Sequence, residues 1–213
     1  PSALPRPCRK KSRLASGLIP AYPKFENGVN KFMQENQFYT LHVAGLTREL
    51  PICKVDDTLS IAAFVMFSDV EMTVECAKAL LQKVPEFDLI LTAESKGIPL
   101  AYEMAKQSGK NYVLARKMSK LYMKNPMEIS VKSITTARVQ TLFLDQHEAD
   151  MMKGKRLLIV DDVVSTGGSL DALEGLATRT GANIVGKAFV LAEGDAADRK
   201  DIIYLEKLPL FLK

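Results

Sequence analysis

Two adjacent carboxylates, Asp161 and Asp162, follow the apolar run Leu157-Leu158-Ile159-Val160 and lead through Val163-Val164 into Ser165-Thr166-Gly167-Gly168-Ser169. A carboxylate pair accepts hydrogen bonds from a vicinal diol. The string behind it offers backbone N–H groups and three hydroxyls, and it opens the helical pattern Leu170-Asp171-Ala172-Leu173-Glu174-Gly175-Leu176. A helix N-terminus with free amides suits a phosphate monoester. Two glycines allow close backbone approach and positive φ. Neither the dinucleotide fingerprint G-x-G-x-x-G nor the Walker pattern is present, so the phosphate would be held in another way. Diol and phosphate side by side describe a ribose 5-phosphate.

Such a corner needs a buried strand to carry it and a helix to end on, which places it where open α/β sheets bind ligands. The rest of the chain fits that frame. Short strands are expected at 39–44 and 50–55 around Gly45-Leu46-Thr47-Arg48. Ser68-Asp69-Val70-Glu71 has the form of a capping box opening a helix to about Gln82, with Val70, Val74, Ala77, Leu80 and Leu81 inward. A strand at 87–92, a helix from Ile98 to about Gln107 stopped by Gly109, and a strand at 112–115 come next. Residues 118–136 break the rhythm and read as a long excursion before a strand at 138–144. Residues 148–155 read as a solvated connection, with Met151 and Met152 as apolar filler. A helix to about Thr178, a strand at 184–191 and an edge at 202–205 complete the pattern. Alternating strands and helices predict an α/β fold with a mostly parallel sheet flanked by helices.

The motif at 157–169 resembles the phosphoribosyl-pyrophosphate (PRPP) signature of the type I phosphoribosyltransferases: four apolar residues, two acids, then a Thr-Gly-Gly-Thr/Ser-like turn. The resemblance implies that Asp161 and Asp162 hold the ribose hydroxyls. It likewise assigns Val163, Val164, Ser165, Thr166, Gly167, Gly168 and Ser169 to the 5-phosphate side. A second match is Glu94-Ser95-Lys96-Gly97, which resembles the Glu-Ala-Arg-Gly loop of the adenine enzymes, with Lys96 in place of Arg, and the Glu-Ser-Ser-Gly of the xanthine enzymes. In both, this loop grips pyrophosphate through its backbone amides. Arg116-Lys117 at the next strand end is similar to their Arg-Lys pair, and two adjacent cations suit a diphosphate. A looser likeness covers Ser130-Val131-Lys132-Ser133-Ile134-Thr135-Thr136 and Gln140, which look like the flexible loop of the xanthine enzymes and the PRPP-sensing purine repressor. An edge hairpin with Ser and Thr on its wet face is the ordinary alternative. Tyr122 and Lys124 lie beside it, within possible reach of substrate phosphates.

The resemblance implies a small N-terminal hood, from about residue 40 to 66 with the C-terminal strands, on a phosphoribosyltransferase domain over 36–213. It also implies transfer of 5-phosphoribosyl from PRPP to a purine base with release of pyrophosphate, assisted by Mg²⁺ held mainly by substrate and by Asp161 and Asp162. Asp161, Asp162, Lys96 and Arg116 are then the catalytic candidates. Glu94, Ser95, Gly97 and Lys117 bind substrate. Glu193, in Leu191-Ala192-Glu193-Gly194, supplies an acceptor where the 6-oxopurine enzymes place a Lys, which favours adenine. Ala192 departs from the adenine enzymes, which show an acid there, and their glutamate-tyrosine pair is missing from the loop. A xanthine or other 6-oxopurine enzyme, a PRPP-sensing transcription regulator and an assembly-only homologue therefore stay open.

Composition narrows the classes further. The 213 residues are 47% hydrophobic, enough for one domain with a sizeable core. No apolar run is long enough for a membrane span. Cys8, Cys53 and Cys76 form an odd set without metal-ligand spacing, so reduced thiols in the cytoplasm are expected. Residues 1–32 carry seven basic side chains against the single acid Glu26, and the remainder carries 22 basic and 24 acidic ones. The basicity thus belongs to residues 1–35, read as a disordered tail or non-native leader, with Met33 a candidate start. Nucleic acid is not expected as a partner, and the resemblance to the phosphoribosyltransferases implies a homodimer.

Overall fold

The computed structural model describes residues 37–132 and 139–212. The basic segment, Met33 and the loop residues Ser133, Ile134, Thr135 and Thr136 lie outside the described residues. The described chain belongs to one compact unit, Asn36–Lys213.

The chain opens with β1 (Phe38–Val43), β2 (Leu46–Lys54) and β3 (Leu59–Ala62). β1 and β2 pair antiparallel across the two-residue turn Ala44-Gly45, both at positive φ. That geometry matches the twist of a hairpin, and it is tighter than the four-residue turn expected at 45–48. Helix α1 (Val70–Leu81), strand β4 (Leu89–Ala93), helix α2 (Ile98–Ser108) and strand β5 (Asn111–Ala115) follow. β6 (Met127–Lys132) and β7 (Val139–Leu144) form a separate antiparallel pair. Helix α3 (Gln146–Met152) leads to β8 (Arg156–Val164), α4 (Gly168–Thr180), β9 (Asn183–Glu193), a 3-10 turn (Gly194–Asp198), β10 (Ile203–Leu208) and β11 (Leu210–Leu212).

Five strands make the central sheet in the order β10-β9-β8-β4-β5, every pairing parallel. Parallel sheets need cover on both faces, and strand alternation supplies two cores. Ile90, Leu158, Val160, Ala188 and Val190 join α1, α2 and the antiparallel sheet in one cluster. Leu89, Leu91, Leu157, Ile159 and Phe189 join α3, α4 and the β6–β7 hairpin in the other. The second sheet has the order β1-β2-β3-β11, so the hood is completed by the last strand. Arg48 on β2 ties it to α1 by hydrogen bonds to Asp69 and Glu71.

Two expectations need correction. Asp69, not Ser68, caps α1 by accepting from the Met72 amide, and the buried stripe is Met72, Thr73, Cys76, Ala77 and Leu80, with Val70 73% exposed. The helix carries apolar residues on neighbouring stripes, and the hood and α2 select the one containing Met72 and Cys76. Residues 148–152, read as the start of a solvated connection, belong to α3 (Gln146–Met152). Asp145 and Glu148 form its capping box and Met152 is fully buried. The box was in the sequence; the short apolar stripe behind it is Ala149 and Met152 alone, too brief to show a period.

Candidate active site

β4 sends its chain into α2 on one face of the sheet, and the neighbouring β8 sends its chain into α4 on the other. Connections that diverge this way open a crevice at the carboxyl ends of the two strands. Both main motifs lie at that crevice. Asp161 and Asp162 belong to the last part of β8. Gly167 takes φ +86° as the N-cap of α4, whose first turn is Gly168 and Ser169. A cavity of about 140 Å³ is lined by Asp161, Val163, Val164 and residues 165–170. A larger recess of about 370 Å³ by Tyr39, Gly194 and Glu206 shares no residue with this corner; chemistry rather than size locates the site.

Residues 94–97 stand against the acid pair. A Cβ on Gly97 would fall 2.5 Å from Asp161 Oδ1 and 2.6 Å from Thr92 Oγ1, so only glycine lets the loop lie here. The Lys96 ammonium is 3.0 Å from Asp162 Oδ2, with the carboxylate buried and the lysine half exposed. The contact is an ion pair, and Asp162 Oδ2 has no hydrogen-bond partner besides it. Glu94 accepts from the Lys117 amide at 2.9 Å and its own amide donates to Ala115. The Arg116-Lys117 pair is therefore clamped to the same loop. Arg116 exchanges backbone bonds with Phe143 on β7, while its guanidinium lies 5.7 Å from the Tyr122 ring centroid and 4.0 Å from Glu148.

Among the described residues, Thr92 Oγ1, Arg116 Nε and Asp162 Oδ2 are buried without a hydrogen-bond partner. Such atoms are costly and rare in native proteins, and all three sit at the carboxyl ends of β4, β5 and β8. Burial, then the charge of Asp162, pushes the Asp161 carboxyl up to about 7, and Lys96 opposes the shift. Carboxylates that repel at close range hold a proton more tightly. Cys76 is pushed up to about 12 by burial and is core. No group of three or more His, Cys, Asp or Glu among the described residues converges on a metal position. The corner suits a cation carried in by a diphosphate, for which Mg²⁺ needs few protein oxygens.

The sequence reading missed Thr92, whose hydroxyl is hidden in a run of apolar strand residues, and the packing of Tyr122 and Glu148 around Arg116. Glu193 ends β9, half-buried and beside Leu208 in register; the structure brings it to neither Asp161 nor Lys96 by any contact. Lys124 is held through its amide by Asp145.

A family model, the phosphoribosyl transferase domain, matches residues 71–208. The chain belongs to the phosphoribosyltransferase family. Adenine phosphoribosyltransferase from Thermotoga petrophila is 38% identical over 106 residues, covering 50% of this chain and 59% of that protein. This chain thus spans about three fifths of the first curated relatives it matches. The enzyme of the same name from Oenococcus oeni is 30% identical over 68% of this chain and 85% of its own length. The purine biosynthesis transcriptional repressor PurR of Bacillus subtilis is 32% identical over 54% of this chain and 39% of the repressor. Among solved structures, adenine phosphoribosyltransferase from Thermoanaerobacter pseudethanolicus aligns with TM-score 0.54 and 25% identity, covering 65% of this chain and 80% of that one. The family's α/β fold, a parallel sheet with a small antiparallel hood, is the fold observed. No helix among the described residues is long and apolar enough to cross a membrane.

Proposed function

We propose that this phosphoribosyltransferase transfers 5-phosphoribosyl from PRPP to adenine, giving AMP and pyrophosphate. The observation that carries the reading is the seating of Gly97 on Asp161 with Lys96 beside Asp162. It sets a loop suited to the leaving diphosphate against acids suited to the ribose. In the reaction the C1–O bond to pyrophosphate breaks, the diphosphate leaves with the electron pair, and a bond forms from the purine nitrogen to C1. The purine's N–H proton passes to solvent. Positive charge develops on the sugar ring, as in glycoside cleavage. No covalent nucleophile is needed.

Asp161 and Asp162 orient the ribose hydroxyls, and the amides and hydroxyls of residues 165–169 hold the 5-phosphate. The amides of residues 95–97 with Lys96, Arg116 and Lys117 stabilise the leaving group. These are positioning and electrostatic effects. Mg²⁺ bound by the diphosphate, with Asp161 and Asp162 alongside, would neutralise charge. Glu193 offers an acceptor to an exocyclic amino group, which supports adenine over a 6-oxopurine.

Incubation with PRPP, Mg²⁺ and each purine base in turn, following pyrophosphate release, tests the reading; adenine should turn over fastest. Turnover confined to xanthine, guanine or hypoxanthine would reassign the base. The PurR match favours a second reading, a PRPP sensor without turnover. Retained PRPP binding, no turnover with any base and salt-sensitive DNA binding would select it. We also infer a cytoplasmic homodimer. Exposed Met118, Leu121 and Tyr122 next to Arg116 support an interface there, and sedimentation at micromolar concentration should give twice the chain mass.

A further inference from the structure

Residues 161–173 contain no Lys or Arg but do contain Asp171, in the first turn of α4. An acid there favours the helix N-terminus, yet it repels a dianionic phosphate seated at the same place. The compensating charge comes from a different part of the chain. Arg199 follows the 3-10 turn after β9, and two edges of its guanidinium are occupied by Asp201, Nε to Oδ1 at 2.9 Å and Nη2 to Oδ2 at 2.7 Å. Asp201 also accepts from Lys187 on β9, and Lys187 donates to Glu174 on α4 at 2.7 Å. This chain of four alternating charges fixes the guanidinium and aims its remaining nitrogen at the corner. Nη1 lies 3.2 Å from the point a Cβ on Gly167 would occupy, and Asp171 Oδ1 lies 3.9 Å from that point.

We propose that Arg199 is a positioning residue of the phosphate corner: it stands against Asp171 and backs the positive-φ turn at Gly167, so that a phosphate monoester meets less repulsion from Asp171 there. The proposal rests on the reading of residues 161–169 as the 5-phosphate site. Arg199 itself is not placed in contact with substrate.

Calorimetric titration of ribose 5-phosphate and, separately, pyrophosphate into the wild type and the R199Q, D171N and D171N/R199Q variants tests it. R199Q should weaken ribose 5-phosphate about five-fold, the scale of one charge at a helix end, and leave pyrophosphate unchanged. D171N alone should tighten ribose 5-phosphate, and D171N/R199Q should return to near wild-type affinity. Among the described residues the Asp171 carboxylate makes no hydrogen bond, and D171N keeps its size, so it serves where R199Q does not fold. Unchanged affinity in folded R199Q, failure of D171N to tighten binding, or failure of the double variant to recover would each overturn the compensation. A wild type that binds no ribose 5-phosphate would sink the corner itself, and this inference with it.

Discussion

The two halves of the crevice hold charge in opposite ways. On the β8 side, residues 165–169 carry their amides and hydroxyls at a strand end and a helix start, and Arg199 Nη1 lies 3.2 Å from the point a Cβ on Gly167 would occupy. On the β4 and β5 side, Lys96 and Lys117 are exposed or half exposed and Arg116 rests on Tyr122. One half fits a group that stays bound through a reaction, where fixed geometry is an advantage. The other fits a group that must arrive, gain charge and leave, where movable cations are better.

The comparison breaks most sharply at the acids that join the halves. The double variant Asp161→Asn, Asp162→Asn should weaken PRPP binding at least ~100-fold, since each charged hydrogen bond to a hydroxyl contributes roughly 1.5–3 kcal/mol; unchanged affinity by calorimetry would remove both roles. Gly97→Ala comes next. Its methyl has no room between Asp161 and Thr92, so the loop must shift, at a cost of about 1–3 kcal/mol. Thermal unfolding should register that loss, and turnover should fall further than the loss of folded protein explains.

Lys96→Ala should reduce kcat about ten-fold with a smaller change in KM, as expected for a donor used mainly on the leaving group, while Lys96→Arg should restore most of the rate. A larger effect on ribose 5-phosphate than on pyrophosphate would blur the division between the halves.

The smallest effect concerns pH. Asp161 has its folded pKa raised to about 7 from an ordinary 3.8. The ligand-free protein therefore has the full benefit below about pH 4 and loses it as pH rises through 7. Asp161→Asn removes the penalty, so unfolding at pH 8 should show a gain on the order of 1 kcal/mol, with no gain at pH 3.5. An equal gain at both values would place the cause elsewhere.

The β8 half was legible in the sequence because its strand, acids, glycines and helix start are contiguous, and each residue type has one physical use in that order. The loop at 94–97 was legible for the same reason. What escaped depends on contacts between distant segments. The buried stripe of α1 is chosen by the hood and α2. Arg199 lies thirty-two positions beyond Gly167 by number, and its neighbours in the chain, Asp198 and Lys200, read as ordinary solvated charge. Thr92 lies inside the buried run Leu89-Ile90-Leu91-Thr92-Ala93 and gives no local sign that its hydroxyl is unpartnered beside Gly97.

β11 pairs with β3, Leu210 beside Ile61 and Leu212 beside Leu59. The hood is thus stitched from both extremities of the described chain. On the ribosome, β3 is made well before β11 and must wait with that edge bare until β11 emerges. The parallel sheet and its crevice can assemble during that wait, while the antiparallel sheet stays incomplete.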